Sequence, residues 1–222
     1  MGGQPGKPKP PGNPPLRPEP QYPTDTGAAE TPYRAEPFVE FARQSGINGD
    51  YSLIKGAHQG RMSHSDGVDI RRFREPDLSQ LVRLISETIG ISYAEVYPPR
   101  AVQFFKDFHS EKKIADRSKT GTTLVVEEDG ELVATGSLVG GEILAVFVHP
   151  RLQRGGRGKA LMKALENEAR ASGVTEIGLS ISLPSKRFYE SLDYEVVEGK
   201  SRDVGEGQRL DFWKAVKQLP KS

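Results

Sequence analysis

The stretch of residues 142–171 constrains the fold of this chain more than any other part of its sequence. It opens with an apolar strand over residues 143–148. Ile143, Ala145 and Phe147 form one face of that strand, and the other face is formed by Leu144, Val146 and Val148. A strand that is apolar on both faces belongs in the middle of a sheet covered on both sides. His149-Pro150 ends it, because proline cannot donate to a ladder.

A glycine-rich segment follows this strand and leads into helix-forming sequence; we call residues 153–159 the glycine loop. Its three glycines allow a tight turn that points several backbone N–H groups at one place. The helix start adds unpaired N–H groups and the positive end of its dipole. Arg154, Arg157 and Lys159 add full positive charges. The predicted pyrophosphate-binding residues are Gln153, Arg154, Gly155, Gly156, Arg157, Gly158 and Lys159.

The spacing of the glycine loop excludes the two commonest phosphate-binding motifs. A Walker A loop needs Ser or Thr after Gly-Lys, and here Ala160 follows Lys159. A dinucleotide fingerprint needs a third glycine where Leu161 stands. What remains is Gln153-x-x-Gly156-x-Gly158 after an apolar strand. Taken alone, that pattern leaves open a strand-to-helix turn that binds nothing.

Composition limits the classes of function. The 222 residues include 35% hydrophobic and 27% charged residues, which is ordinary for one globular domain with extra segments. A net charge of +1 gives no sign of a nucleic-acid partner, and no apolar run approaches a membrane span. There is no cysteine, and the four histidines have no metal-binding spacing. We expect no metal and a cytoplasmic location, as a monomer or homodimer.

The N-terminal part differs in composition from the rest. Residues 1–40 hold 11 of the 17 prolines, which favours an extended, disordered tail. One short helix is predicted near residues 35–45. We expect a proline-rich extension over residues 1–61 and the functional domain over residues 62–222. Met62 stands at this boundary and is a candidate for the true start.

From Val68 onward, strand and helix patterns alternate. Glu75-Pro76 starts a helix that Gly90 is expected to end. A second helix should run from Pro98-Pro99 to about Ala115. Asp129-Gly130 is the strongest short hairpin signal in the chain. Two later helices are predicted, one directly after the glycine loop and one over residues 185–192. The strands are predicted over residues 68–73, 122–128, 131–138, 143–148, 176–182, 194–198 and 209–216.

Three features together resemble the GNAT N-acetyltransferase superfamily over residues 68–216. The first is the glycine loop, which resembles that family's acetyl-CoA pyrophosphate loop. The second is the segment from Phe188 to Tyr194, which is similar to a Phe-Tyr-x-x-x-Gly-aromatic pattern. The third is Glu142, 11 positions before Gln153, where the histone-acetylating branch carries a general base. The resemblance implies a mixed α/β fold in the order β-α-α-β-β-β-α-β-α-β-β, with a central strand that splays from its neighbour.

The resemblance also implies roles for particular residues. Glu142 would be the general base, with Glu127 and Glu128 in reserve, and Tyr189 the proton donor to the departing thiolate. Backbone N–H groups around Phe147 and Val148 would pair with the pantetheine arm and with the thioester carbonyl.

Each of these roles has a structural alternative. Glu142 could be a solvated carboxylate at a strand edge, and Tyr189 could be a core tyrosine. Two positions depart from the family pattern: Asp193 replaces the usual glycine, and Ser182-Leu183-Pro184-Ser185 lacks the frequent asparagine.

The expected activity is transfer of an acetyl group from acetyl-CoA to a primary amine, on a small molecule or a protein. Because the chain has no cysteine, direct attack in a ternary complex is expected rather than an acetyl-enzyme. The acceptor should lie between the first two helices, residues 92–97 and the loop after Tyr194. Two other functions stay open: a non-catalytic acyl-CoA-binding module that regulates a partner, and a nucleotide-binding regulator.

Overall fold

A computed structural model describes residues 68–220 of the chain. The expected extension over residues 1–61, its short helix and the boundary at Met62 lie outside the described residues. The strands are β1 (Ile70–Arg72), β2 (Thr122–Glu128), β3 (Glu131–Val139), β4 (Glu142–Val148), β5 (Glu176–Ser182), β6 (Glu195–Asp203) and β7 (Arg209–Gln218). The α-helices are α1 (Leu78–Thr88), α2 (Pro99–Phe108), α3 (Glu111–Thr120), α4 (Arg157–Ala171) and α5 (Lys186–Glu190).

The strands form one seven-stranded sheet in the order β1-β2-β3-β4-β5-β7-β6. Neighbouring strands are antiparallel except β4 and β5, which are parallel. The apolar strand β4 therefore has the central position that its two hydrophobic faces predict, and the mixed α/β class is confirmed. Asp129 and Gly130 join β2 to β3 with φ angles of 51° and 82°, which is the left-handed geometry of a two-residue hairpin turn.

Hydrophobic cores cover both faces of the sheet. Helices α4 and α5 pack on the first face, where Leu161 and Leu165 contact strand residues such as Ile181. Helices α1, α2 and α3 pack on the second face, where Leu81 and Ile114 are buried. We call these the α4 face and the α1 face. Burying each such side chain contributes roughly 1.5–3 kcal/mol to stability, so each face holds its own layer of helices.

The single helix predicted from Pro98-Pro99 to about Ala115 is wrong, because the chain forms α2 and α3 with a break between them. His109 leaves the helical conformation (φ −112°, ψ 31°) and Ser110 is extended (φ −61°, ψ 158°). Serine is a preferred residue just before a helix, and Glu111 adds an acidic residue to the first turn of α3. The observed order is therefore β-α-α-α-β-β-β-α-β-α-β-β, with one more helix than expected.

The first helix also passes the residue that was expected to end it. Beyond α1, the five residues Ile89–Tyr93 continue as one π-helical turn that includes Gly90. Ile89 and Tyr93 are both buried on the α1 face. Packing of these two side chains outweighs the weak helix-ending preference of glycine.

Candidate active site

The site is organised around a gap between β4 and β5. The two strands pair only at Glu142–Gly178 and at Ile143–Leu179, and beyond these pairs they separate. β5 meanwhile stays paired with β7 over its whole length. The gap between the two parallel strands therefore widens toward Val148, and the backbone edge of β4 is left available there, as the resemblance implied.

A bulge in β4 sets the geometry of that edge. Thr135 pairs with Phe147 and Ser137 with Leu144, so Ala145 and Val146 together oppose the single residue Gly136 of β3. Ala145 adopts a left-handed φ of 54°. The extra residue reverses the alternation of side chains. Ile143 therefore packs on the α4 face while Ala145 and Phe147 pack on the α1 face, and the prediction that these three share one face is wrong.

Backbone groups of Val148 point into the gap. The N–H of His149 donates to the carbonyl of Val133 in β3 at 2.9 Å, and adjacent residues of a strand point their N–H groups to opposite sides. The carbonyl of Val148 accepts a hydrogen bond from the side-chain amide of Gln153 at 3.2 Å. The first residue of the glycine loop is thereby tied to the open end of the gap.

The glycine loop turns sharply before α4. Arg154 and Gly156 have left-handed φ angles of 65° and 81°, and Gly156 is the residue just before the first turn of α4. Gln153, Arg154, Gly155, Gly156 and Lys159 are exposed. The first N–H groups of α4 have no carbonyl partner within the helix and lie at its positive end, so this turn has the chemistry of an anion site.

Arg157, in contrast, turns back toward the protein. Its guanidinium donates two hydrogen bonds to the carboxylate of Glu128, at 2.6 and 2.8 Å, and a third to the carbonyl of Leu152 at 3.2 Å. The guanidinium lowers the pKa of the Glu128 carboxyl below its usual value. A side-chain carbon at Gly155 would lie 2.4 Å from this guanidinium, so a larger residue there would require the Arg157 side chain to shift.

Gly158 allows α4 to approach the segment that carries Tyr189. A side-chain carbon there would lie 3.2 Å from the ring of Phe188 and 3.5 Å from Val148. Asp193, which stands where the family pattern has glycine, adopts a left-handed φ of 64°, so the turn after α5 is preserved. Tyr189 is therefore held between α4 and the strand edge.

Tyr189 is buried and lines the cavity. The ring contacts those of Phe188 and Tyr194, with centroids 5.1 and 5.9 Å apart. Burial raises the pKa of the Tyr189 hydroxyl above its usual value, and nearby Tyr93 adds to the effect. The hydroxyl therefore stays protonated at any ordinary working pH and is available as a donor.

Glu142 is buried at the start of β4, with its side chain 8% exposed, so it is not the solvated carboxylate of the structural alternative. Burial raises the pKa of its carboxyl, and the charge of Lys214 opposes that rise. The ammonium nitrogen of Lys214 lies 3.9 Å from Oε1 of Glu142 and makes no hydrogen bond with any described residue. A carboxyl with a raised pKa holds protons more strongly than an ordinary glutamate, which suits a general base.

The two reserve carboxylates are held by arginines. Glu127 accepts a hydrogen bond from Arg71 at 2.6 Å, and Glu128 is bound by Arg157. Glu142, in contrast, lies on β4, the strand that borders the gap, and has no arginine bound to its carboxylate. Glu142 is therefore a better candidate than either for the base.

Sequence reasoning missed several residues around the gap. Tyr93, within the expected acceptor segment 92–97, accepts a hydrogen bond from Ser182 at 3.0 Å. Ser182 also bonds Ser185 at 3.0 Å, so two hydroxyl groups occupy the place of the frequent asparagine. The Tyr97 hydroxyl accepts from the N–H of Leu183 at 2.8 Å. No local pattern marks these contacts, because each joins segments far apart in the chain.

One cavity runs through the gap and reaches both faces of the sheet. Ile181 and Tyr189 line it from the α4 face, whereas Tyr93, Phe105 and Phe147 line it from the α1 face. Residues 68–220 contain no cluster of three or more side chains suited to bind a metal ion. In the same range, every helix is too short or too polar to cross a bilayer.

A protein-family model matches most of the residues just described. The sequence model for an "Acetyltransferase (GNAT) domain" matches residues 93–209, more than half of the 222-residue chain. The match includes the glycine loop, both candidate catalytic residues and all the residues that line the cavity except Leu210 and Phe212. A search of curated proteins finds no match to the chain.

Solved structures share the fold. A GCN5-related N-acetyltransferase from Rhodopseudomonas palustris has a TM-score of 0.64 at 23% identity, and the alignment covers 72% of this chain and 100% of that one. PaiA N-acetyltransferase from Thermoplasma acidophilum, in complex with coenzyme A, has a TM-score of 0.55 at 19% identity. The alignment covers 68% of this chain and 99% of PaiA. The structure of yncA from Salmonella typhimurium, solved with its cofactor acetyl-CoA, has a TM-score of 0.51 at 23% identity. That alignment covers 70% of this chain and 95% of yncA.

Proposed function

The chain belongs to the GNAT acetyltransferase family, and from that premise we propose that it transfers the acetyl group of acetyl-CoA to a primary amine by direct attack in a ternary complex. The observation that carries this proposal is the gap between β4 and β5, which has the glycine loop at its open end and Tyr189 at its wall. The bound coenzyme A and acetyl-CoA in the PaiA and yncA structures support the choice of cofactor.

The glycine loop would hold the pyrophosphate of acetyl-CoA. The exposed N–H groups before α4 would donate to its oxygens, and Arg154 and Lys159 would add positive charge. The Glu128 carboxylate holds Arg157 away from that exposed surface, so we assign Arg157 to shaping the turn. The backbone N–H of Val148 would donate to the pantetheine arm as an added strand does, beside Phe147 on the same bulged segment.

The proposed reaction needs one base and one donor. The amine nitrogen attacks the thioester carbon, Glu142 accepts a proton from the amine directly or through water, and the carbon–sulfur bond breaks. Tyr189 donates a hydrogen bond, and then its proton, to the departing sulfur. The products are an N-acetylated amine and the free thiol of CoA. Glu142 then releases its proton to water and Tyr189 regains one from water, so atoms and charge balance without a metal or a covalent intermediate.

Glu142→Gln tests the role of the base. The variant keeps the shape of the side chain but cannot accept a proton, so turnover should fall most at low pH. It should recover partly as pH rises, because an amine with a pKa near ~10.4 then loses its proton unaided. Glu176→Gln, the same change at the exposed start of β5, is the matched control and should keep full activity.

The measurement is release of CoA thiol against pH, with CoA affinity followed by calorimetry. A loss in Glu142→Gln that is uniform across pH would contradict base catalysis and indicate substrate positioning. Normal CoA binding without release of thiol by any amine would contradict the proposed transfer and favour the non-catalytic acyl-CoA-binding module.

A further inference from the structure

Tyr93 belongs to a group of hydroxyl-bearing residues at the gap. The residues that line the cavity include Tyr93, Ser182, Ser185 and Tyr189. The hydroxyl of Tyr93 accepts a hydrogen bond from Ser182 at 3.0 Å, and Ser182 bonds Ser185 at 3.0 Å. Ser185 directly precedes α5 and Tyr189 follows it by four residues, so the two lie on one face of that helix. The hydroxyl of Tyr93 is thereby tied to the segment that carries Tyr189.

The ring of Tyr93 is held in place by three other aromatic rings. Tyr93 is 8% exposed. Its ring packs edge-on against that of Phe105 with centroids 4.7 Å apart, and the rings of Tyr97 and Phe147 lie 5.7 and 6.2 Å away. These contacts restrict rotation of the side chain. The hydroxyl therefore keeps a fixed position, as a group that stabilises developing charge must.

The hydrogen of the Tyr93 hydroxyl is available to a ligand. A tyrosine hydroxyl can accept a hydrogen bond and donate one at the same time. That of Tyr93 accepts from Ser182, and none of the described residues accepts a hydrogen bond from it. Burial raises the pKa of the Tyr93 hydroxyl, and hydrogen bonds from Ser182 and Ser185 oppose that rise. The hydroxyl therefore stays protonated at neutral pH and can donate into the cavity.

The two tyrosines reach the gap from opposite faces of the sheet. Tyr189 belongs to the hydrophobic core of the α4 face, and Tyr93 belongs to that of the α1 face. Their hydroxyl groups are near enough for Tyr93 to contribute to the raised pKa of Tyr189. A thioester bound in the gap would therefore have a tyrosine on each side.

We propose that Tyr93 is a second hydrogen-bond donor to the departing sulfur of acetyl-CoA, opposite Tyr189. The inference rests on the proposed acetyl transfer and adds a catalytic residue to it. A hydrogen bond to an ionised acceptor is stronger than one between neutral groups, so this contact strengthens as the carbon–sulfur bond breaks. Tyr189 gives its proton to the sulfur, whereas Tyr93 keeps its own, so the balance of the reaction is unchanged.

The test is the pKa of the CoA thiol in the complex of the full-length protein with CoA, which requires no amine. The thiolate is followed by ultraviolet absorbance against pH, with the desulfo-CoA complex as the blank. Each donor stabilises the thiolate and so lowers the pKa of the bound thiol. Tyr93→Phe should therefore raise that pKa by about 1–2 units, as loss of one charge-assisted hydrogen bond implies. CoA affinity, measured by calorimetry at a pH where the thiol is protonated, should change little and shows that the variant is folded.

Tyr97→Phe is the matched control, because its hydroxyl bonds the N–H of Leu183 and the carbonyl of Asp211 instead of facing the cavity. It should leave the pKa of the bound thiol unchanged. In acetyl transfer, Tyr93→Phe should lower kcat by about 10- to 100-fold and leave the KM for acetyl-CoA near its wild-type value.

A shift of the thiol pKa in Tyr189→Phe but not in Tyr93→Phe would overturn the inference and leave acetyl transfer standing. The same holds if Tyr93→Phe lowers kcat without moving the thiol pKa, because the hydroxyl then acts elsewhere than on the sulfur. Wild-type protein that fails to bind CoA would overturn both the inference and the proposed function.

Discussion

Tyr189→Phe removes one hydroxyl group from a buried ring and leaves the packing of that ring unchanged. The contacts with Phe188 and Tyr194 involve ring atoms that both side chains share. Tyr189 lines the cavity, and its hydroxyl makes no hydrogen bond with a described residue, so loss of the hydroxyl should change the free energy of unfolding by no more than about 1 kcal/mol. Loss of a proton donor should lower kcat by about 10²–10⁴-fold, or roughly 3–5 kcal/mol in the barrier.

Two assays together test this prediction: kcat from thiol release at saturating acetyl-CoA, and unfolding by denaturant. Because burial raises the pKa of the Tyr189 hydroxyl, the ratio of wild-type to variant rates should stay constant from about pH 6 to about pH 9. Tyr97→Phe is the matched control. Its hydroxyl bonds the N–H of Leu183 and the carbonyl of Asp211, both at 2.8 Å, so its removal should lower stability by about 1–3 kcal/mol.

The reasoning fails if Tyr189→Phe keeps wild-type kcat, because the residue is then a core tyrosine and water is the donor. It also fails if activity and stability fall together in Tyr189→Phe as they would for a structural hydroxyl. A rate ratio that collapses between neutral and alkaline pH would show that the hydroxyl ionises within that range, contrary to the raised pKa.

Three further variants test the other parts of the site. Lys214→Met removes the positive charge that lowers the pKa of Glu142, so that pKa should rise further. The acidic limb of the kcat/KM profile should then move to higher pH. A limb that does not move would show that Lys214 does not act on the base. Gly156→Ala adds a carbon that contacts no protein atom within 4 Å, at a left-handed residue, so calorimetry should show CoA affinity lost while stability falls by only about 1–2 kcal/mol. Gly158→Ala places the added carbon against Phe188, so it should lower stability by about 1–3 kcal/mol and weaken CoA binding less than Gly156→Ala does. Equal CoA affinities in the two glycine variants would contradict the assigned pyrophosphate position.

Local patterns in the sequence were sufficient to predict much of the central structure. The two apolar faces of β4, the Asp129-Gly130 turn and the left-handed Asp193 all follow from properties of a few adjacent residues. The membership of the family was predicted from the glycine loop and the segment around Tyr189, and the family match confirms it. The domain boundary near Met62 stays a prediction.

Other features depend on contacts that a local pattern does not encode. The bulge at Ala145 arises where two residues of β4 face Gly136, and the alternation of side chains along β4 does not predict it. The break before α3 occupies only His109 and Ser110, within otherwise helical sequence. Arg157 was expected to face the phosphate. Its actual partner, Glu128, is 29 residues away in the chain, so no local pattern reveals that the two side chains meet.

The wall of the cavity on the α1 face was the least predictable part for the same reason. Arg202 and Phe104 lie on β6 and α2, about a hundred positions apart, and meet only because β6 is placed at the edge of the sheet beside β7. Lys214 and Glu142 are likewise brought together by the order of the strands. Pairs of this kind become visible only when the whole sheet is assembled.

The most direct test of the central claim is the stoichiometry of one reaction mixture. The full-length protein is incubated with acetyl-CoA and a primary amine that stimulates thiol release. Free CoA thiol is measured alongside the acetylated amine by mass spectrometry. The account predicts one acetylated amine for each thiol released, with both signals lost in Gly156→Asp, whose added carboxylate would repel the pyrophosphate at the glycine loop. Thiol release without an acetylated amine, or full product formation by Gly156→Asp, would contradict it.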